Sequence, residues 1–217
     1  MLERYLHALS LADPGDEDPG VTRDRLRERF PKGATRRMTQ LGLLVGVALD
    51  ELVPRLDDAV VYATGYGESR ALEAYLDSFP SASPTLFQTS IHPSAVQQAM
   101  ITRQHPVGEF FPLTGRGHLV GQAIETALLS PAPRVLLCGG EERGTWLLAH
   151  GVASARAFAF AVALTEEPAG AQARLALTRD GGPPMEFALA AWFDALAGRQ
   201  AINRVVGSGL RLTLEWS

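Results

Sequence analysis

The sequence predicts an α/β protein with a largely parallel sheet that finishes in antiparallel strands. Three observations carry that expectation. Strand-like runs alternate with stretches of helical apolar spacing from residue 38 to residue 138. Two of the runs, Ala59–Ala63 and, after its first residue, Arg134–Cys138, are continuously apolar, as strands covered on both faces are. The segments Gln172–Thr178 and Leu210–Trp216 instead alternate apolar with polar or small residues, the pattern of antiparallel strands near the C-terminus. The 217 residues suit one domain, spanning 1–217, and a chain of this length buries roughly 70% of its unfolded surface.

In chain order, Tyr5–Leu11 reads as a first strand and Ala12–Gly20, with its Asp-Pro and Pro-Gly pairs, as a loop. Val21–Arg37 carries seven cations against Asp24 and Glu28. Such a run is a solvated segment or a docking patch for an acidic partner. Met38, Leu41, Leu44, Val45, Ala48, Leu49 and Leu52 share one helix face, and Pro54 closes it. After the strand at Ala59–Ala63, Gly65 and Gly67 lead into a helix over Glu68–Ser78; the third glycine and the Lys-Ser/Thr of a phosphate-binding loop are missing.

Phe87–Ile101 is the expected organising stretch. Leu86–Thr89 reads as extended, Ser90 or His92 as the helix cap, and Pro93 as the first helical turn. Ala95, Val96, Ala99 and Met100 follow at helical spacing, and a strand that breaks into a helix is where α/β proteins place sites. His105, Pro106 and Gly108 then form a turn, Glu109–Leu113 a short strand, Gly115–Gly117 an elbow, and His118–Leu129 a helix closed by Pro131 and Pro133. The strand at Arg134–Cys138 ends in Gly139-Gly140-Glu141-Glu142. Ala155–Leu164 is a long strand, Gly181–Pro184 a turn and Pro184–Ala197 an amphipathic helix.

The net charge of −4 argues against nucleic-acid binding, and no apolar run is long enough to span a membrane. The N-terminus lacks the order of a signal peptide, so the expected compartment is the cytoplasm. The five histidines have no partner at metal-ligand spacing, so neither a metal nor a cofactor is expected. Cys138, the one cysteine, lies in a buried strand and should be inert. Glu141 and Glu142 read as a solvated strand end. Ser90 beside His92 invites a nucleophile–base reading, hence an acyl hydrolase or acyltransferase, with no third group identifiable.

Several landmarks recur in one known order. They are Arg36-Arg37-Met38, Val60–Glu68 (VVYATGYGE), Pro84–Ala95 (PTLFQTSIHPSA), Val135–Glu142 (VLLCGGEE), and the tail from Phe187 to Trp216. On these the chain resembles the short chain length factors that are similar to the N-terminal half of β-ketoacyl synthases; that family usually has Asn where this chain has Pro93. The resemblance implies a thiolase-like half, a mostly parallel five-stranded sheet with helices on both faces. It places the family's nucleophilic cysteine at the Leu113–His118 elbow, which has none, and the family's malonyl-binding histidines in a second half not represented in this sequence. The implied role is a subunit without catalysis of its own, paired with a separate ketosynthase and served by an acyl carrier protein. Such pairs belong to type II polyketide or aryl-polyene synthesis; an assembly scaffold is the other non-enzymatic reading. The residues implied at the ketosynthase interface or acyl tunnel are Phe87, Ile91, Ala95, Val96 and Met100. Those expected to dock the carrier are Arg25, Arg29, Arg36 and Arg37.

Overall fold

A computed structural model describes residues 1–104, 107–183, 185–207 and 209–217. The expected turns at His105-Pro106 and at Pro184 fall partly outside them. In chain order the elements are β1 (Leu2–Ala12), α1 (Pro19–Leu26), α2 (Gln40–Asp50), β2 (Ala59–Thr64), α3 (Ser69–Asp77), α4 (Pro84–Ser90), α5 (Ser94–Arg103), β3 (Glu109–Thr114), α6 (Leu119–Leu129), β4 (Arg134–Glu141), α7 (Trp146–Ala149), β5 (Phe158–Thr165), β6 (Ala173–Arg179), α8 (Leu189–Ala197), β7 (Ile202–Gly207) and β8 (Leu210–Trp216).

The sheet corrects the expectation. It has eight strands in the order β3-β2-β4-β5-β1-β6-β8-β7, not five. Only β2 pairs in parallel, with β3 on one side and β4 on the other; every other pairing is antiparallel. The parallel part coincides with the strand–helix–strand alternation, which needs crossover helices. From β5 onward, hairpin-like returns replace crossovers, and β1 inserts between β5 and β6.

Helices do cover both faces. Period-two alternation sends Val61, Leu137, Phe158, Phe160 and Val162 to one face, where α6 and α8 complete a core around Trp192 and Phe193. It sends Val60, Tyr62, Leu136, Cys138, Ala159, Ala161 and Ala163 to the other, under α2 and α5. Bulk is thus concentrated on one side of β5 and alanine on the other, which leaves α2 room to lie against the sheet. That helix is buried along Gln40–Leu49, and Thr39 Oγ1 caps it by accepting from the Gly42 amide at 3.0 Å.

The stretch Leu86–Thr89, expected as a strand, belongs to helix α4. Its start is a Ser-Pro pair: the Ser83 oxygen accepts from the Leu86 amide at 3.3 Å, and Pro84 takes the first helical position. The helix expected over Pro184–Ala197 begins only at Leu189, and β7 lies where no strand was expected.

Candidate functional site

Three places in the fold gather chemically distinctive residues around the ends of β2 and β4. The first is a buried carboxylate frame. Glu141 and Glu142 are not a solvated strand end; both are buried. β4 lies between β2 and β5, so its C-terminal end runs beneath helix N-termini, where unpaired amides wait for acceptors. Glu141 accepts from the Gly65 amide at 2.5 Å, the Tyr66 amide at 3.2 Å and the Thr64 hydroxyl at 3.2 Å. Glu142 accepts from the second amides of two helices, Leu41 of α2 and Arg70 of α3, each at 3.2 Å. Glu68 accepts from Ala95, the second residue of α5, at 2.9 Å. Glu73 accepts from the Thr145 and Leu147 amides at 2.7 and 2.8 Å. Neither α3 nor α5 has a side-chain cap of its own, so these distant carboxylates stand in and meet the positive ends of the helix dipoles. Burial pushes the Glu141 carboxyl up to about 7 against the pull of its amide donors, and raises Glu142 as well.

The second is the elbow at 113–118. Gly117 takes φ +58°, a left-handed turn that glycine adopts without cost, and α6 begins two residues later. Gly115, Arg116 and Gly117 line a cavity of about 400 Å³ together with Tyr66, Glu141, Leu148, Ser154 and Phe187. The Arg116 guanidinium lies 5.7 Å from the Tyr66 ring centre and donates to the Gly151 carbonyl at 2.9 Å. No cysteine lines it. Cys138 sits inside β4, fully buried, and burial drives its thiol far above the ordinary range, so it is inert as expected.

The third is the α3–α4–α5 corner. α3 is inside out: Ala71 and Glu73 are buried, while Leu72 and Leu76 face solvent with Phe79 just beyond the helix end. Tyr75 joins this face to α4, with ring centres 5.4 Å from both Phe79 and Phe87. Phe87 is 49% exposed and Ile91 47%. Ala95 and Val96, 1% and 0% exposed, belong instead to the core under α2, and Met100 packs on that core half-buried. The five sequence-derived interface candidates therefore divide, two toward solvent and three toward the protein's own interior.

Neither Ser90 nor His92 caps α5, and the two are not hydrogen-bonded to each other. The Ser90 hydroxyl donates to the Phe87 carbonyl at 2.8 Å, within its own helix. His92 stacks on the buried Tyr62 ring at 5.5 Å and 17°, with Nδ1 3.6 Å from a Glu68 oxygen. Of the four docking candidates, Arg25 pairs with Glu17 at 2.9 Å and Arg29 with Glu51 at 3.4 Å. Arg36 and Arg37 are exposed and form no ion pair among the described residues.

No protein-family model matches the sequence, and no curated protein matches it significantly. Solved structures do. A chain from the ketosynthase ApeO in complex with its chain length factor ApeC, from Xenorhabdus doucetiae, superposes with TM-score 0.70 at 18% identity, over 99% of this chain and 100% of the other. The fold is ketosynthase-like. The ishigamide ketosynthase/chain length factor matches at TM-score 0.60 and 12% identity, over 83% of this chain and 68% of its own. A β-ketoacyl synthase from Burkholderia phymatum STM815 matches at 0.58 and 13%, over 84% and 66%. At such identities the shared property is this ketosynthase-like, thiolase-type α/β architecture.

Sequence reasoning missed the outward face of α3 and the carboxylate frame. Leu72, Tyr75, Leu76 and Phe79 have the spacing of a core-facing stripe, so nothing local marks them as exposed. The signal for the frame was weaker still: Glu68 and Glu73 lie in a segment that reads as an ordinary amphipathic helix.

Proposed function

We propose that the chain is a non-catalytic chain length factor, which pairs with a separate ketosynthase in a type II polyketide or aryl-polyene synthase and shapes the acyl tunnel. The observation that carries this reading is the elbow. In a ketosynthase-like fold, the turn at 113–118 borders a cavity yet offers Arg116 between two glycines and no thiol. Covalent acyl transfer needs a nucleophile there, and an arginine guanidinium stays protonated and has no lone pair to give. The superposition over nearly the whole of both chains, with a protein from a ketosynthase–chain length factor complex, supports the short form of such a subunit.

The apolar face formed by Leu72, Leu76, Phe79, Phe87 and Ile91 is the surface on which the partner docks. Large side chains that a lone domain normally buries are enriched at the cores of obligate interfaces. Arg36 and Arg37 are the cations left free to steer an acidic carrier protein, since Arg25 and Arg29 are already paired. The test is co-expression with a candidate partner ketosynthase from the same organism, with a tag on one subunit. The two proteins should co-purify in equal amounts, and Phe87→Asp with Ile91→Asp should lose the partner while the variant chain keeps its own fold. Full recovery of the complex with that double variant would remove this face from the interface.

A further inference from the structure

Nine arginines pair with carboxylates among the described residues. Of the arginines that do not, four, Arg23, Arg36, Arg37 and Arg70, line one place. Arg36, Arg37, Met38, Thr85 and Thr89 line two adjoining cavities at once, one of about 570 Å³ and one of about 200 Å³. Arg23 and Arg70 complete the smaller. The acid on that wall, Glu142, is buried, accepts from the Leu41 and Arg70 amides and forms no ion pair with any of the four. Four guanidinium groups held around one cleft repel one another, and an oxyanion between them removes that repulsion through charge-assisted, forked hydrogen bonds.

The rest of the wall narrows the ligand. Beyond Arg36 and Arg37, the polar groups along the larger cavity are neutral: Thr85, Gln88, Thr89, Gln98 and Thr102. Gln98 Oε1 is buried without a hydrogen-bond partner, and so is Arg23 Nε in the smaller cavity. No aromatic side chain lines either cavity, so nothing there stacks on a nucleobase. We propose that this cleft binds an aliphatic phosphate ester, its phosphate held by Arg23, Arg36, Arg37 and Arg70 and its hydroxyl- or amide-bearing tail laid along Gln88, Gln98 and Thr102. The proposal shares Arg36 and Arg37 with the carrier-docking reading but does not rest on the pairing with a ketosynthase, because the binding belongs to this chain alone.

Isothermal titration of the purified chain at fixed ionic strength tests it, with glycerol 3-phosphate, inorganic phosphate, sulfate, glycerol and ADP as probes. Glycerol 3-phosphate should bind most tightly, inorganic phosphate more weakly, and glycerol not at all; ADP should gain nothing from its base over inorganic phosphate. Arg36→Glu with Arg37→Glu should weaken the ester at least tenfold, and Arg70→Gln should weaken it independently. Gln98→Ala should lower affinity for the ester and leave that for inorganic phosphate unchanged. The paired arginines supply the control: Arg25→Ala with Arg29→Ala should change nothing. Equal affinities in the wild-type chain and the Arg36/Arg37 variant, or sulfate matching the ester, would overturn the site. Either result would leave the pairing with a ketosynthase untouched, since that is read by co-purification.

Discussion

The residues that organise this fold are carboxylates, and they act by reaching across the structure. Glu68, Glu73, Glu141 and Glu142 each place oxygens on backbone amides that a helix or loop start leaves unpaired. The arrangement has a pH signature. The Glu141 carboxyl is raised by burial from its ordinary 4.5 to about 7. A carboxyl raised in the folded state binds its proton more tightly there than in the unfolded chain. Its contribution is therefore complete below pH 4.5 and is lost as pH rises through 7, a decline of about 3 kcal/mol. Denaturant unfolding of the wild-type chain and of Glu141→Gln across pH 4.5 to 8 should show the stability difference shifting against the wild type as pH rises. A difference that stays level would mean that Glu141 does not titrate in this range. Glu142 is raised by the same cause and reinforces the slope. The acidic dipeptide itself was plain in the sequence, but its burial was not, because burial here depends on where the end of β4 meets helices distant in the chain.

At the scale of elements, the α4–α5 corner separates what was legible from what was not. The helical spacing of Ala95, Val96, Ala99 and Met100 correctly marked α5. The preceding strand was misread because Leu86–Thr89 is short and apolar, and such a run cannot be told from a buried helix by periodicity alone. The deciding signal was Ser83-Pro84, a cap followed by proline at the first turn. The face of α5 follows from close helix contact: a side-chain carbon at Gly42 of α2 would come within 3.3 Å of the Ala95 carbonyl, and one at Gly46 within 3.1 Å of Ala99. Ala95→Phe therefore forces a ring between α5 and α2. The expected outcome is overpacking, with about 1–3 kcal/mol of lost stability in chemical denaturation. A variant as stable as the parent would show that Ala95 opens onto free space, as a tunnel-facing residue would.

For the whole molecule, the sequence revealed the layers better than the sheet. The buried strands β2 and β4 and the late strands β6 and β8 were visible as periodicity, and helices on both faces followed from the resemblance. Strand direction was not. Phe158–Thr165 alternates phenylalanine and valine with alanine, yet both faces are covered, so its pattern carries no mark of antiparallel pairing with β4 and β1. β7 escaped because Asn203 and Arg204 interrupt its apolar residues. The absent thiol, by contrast, followed as soon as the resemblance placed the elbow at 113–118, because Cys138 is the one cysteine. That absence carries the central proposal, that this ketosynthase-like chain modulates a condensation it does not perform. The most direct measurement is a reconstitution with acyl and malonyl carrier proteins, run with this chain alone, the ketosynthase alone and the two together, followed by intact mass of each subunit and by product length. The account predicts no acyl adduct on this chain and no product from it alone. It predicts that the pair makes chains whose length or yield the ketosynthase alone does not reach. An acyl adduct on this chain, or products unchanged by its presence, would contradict it.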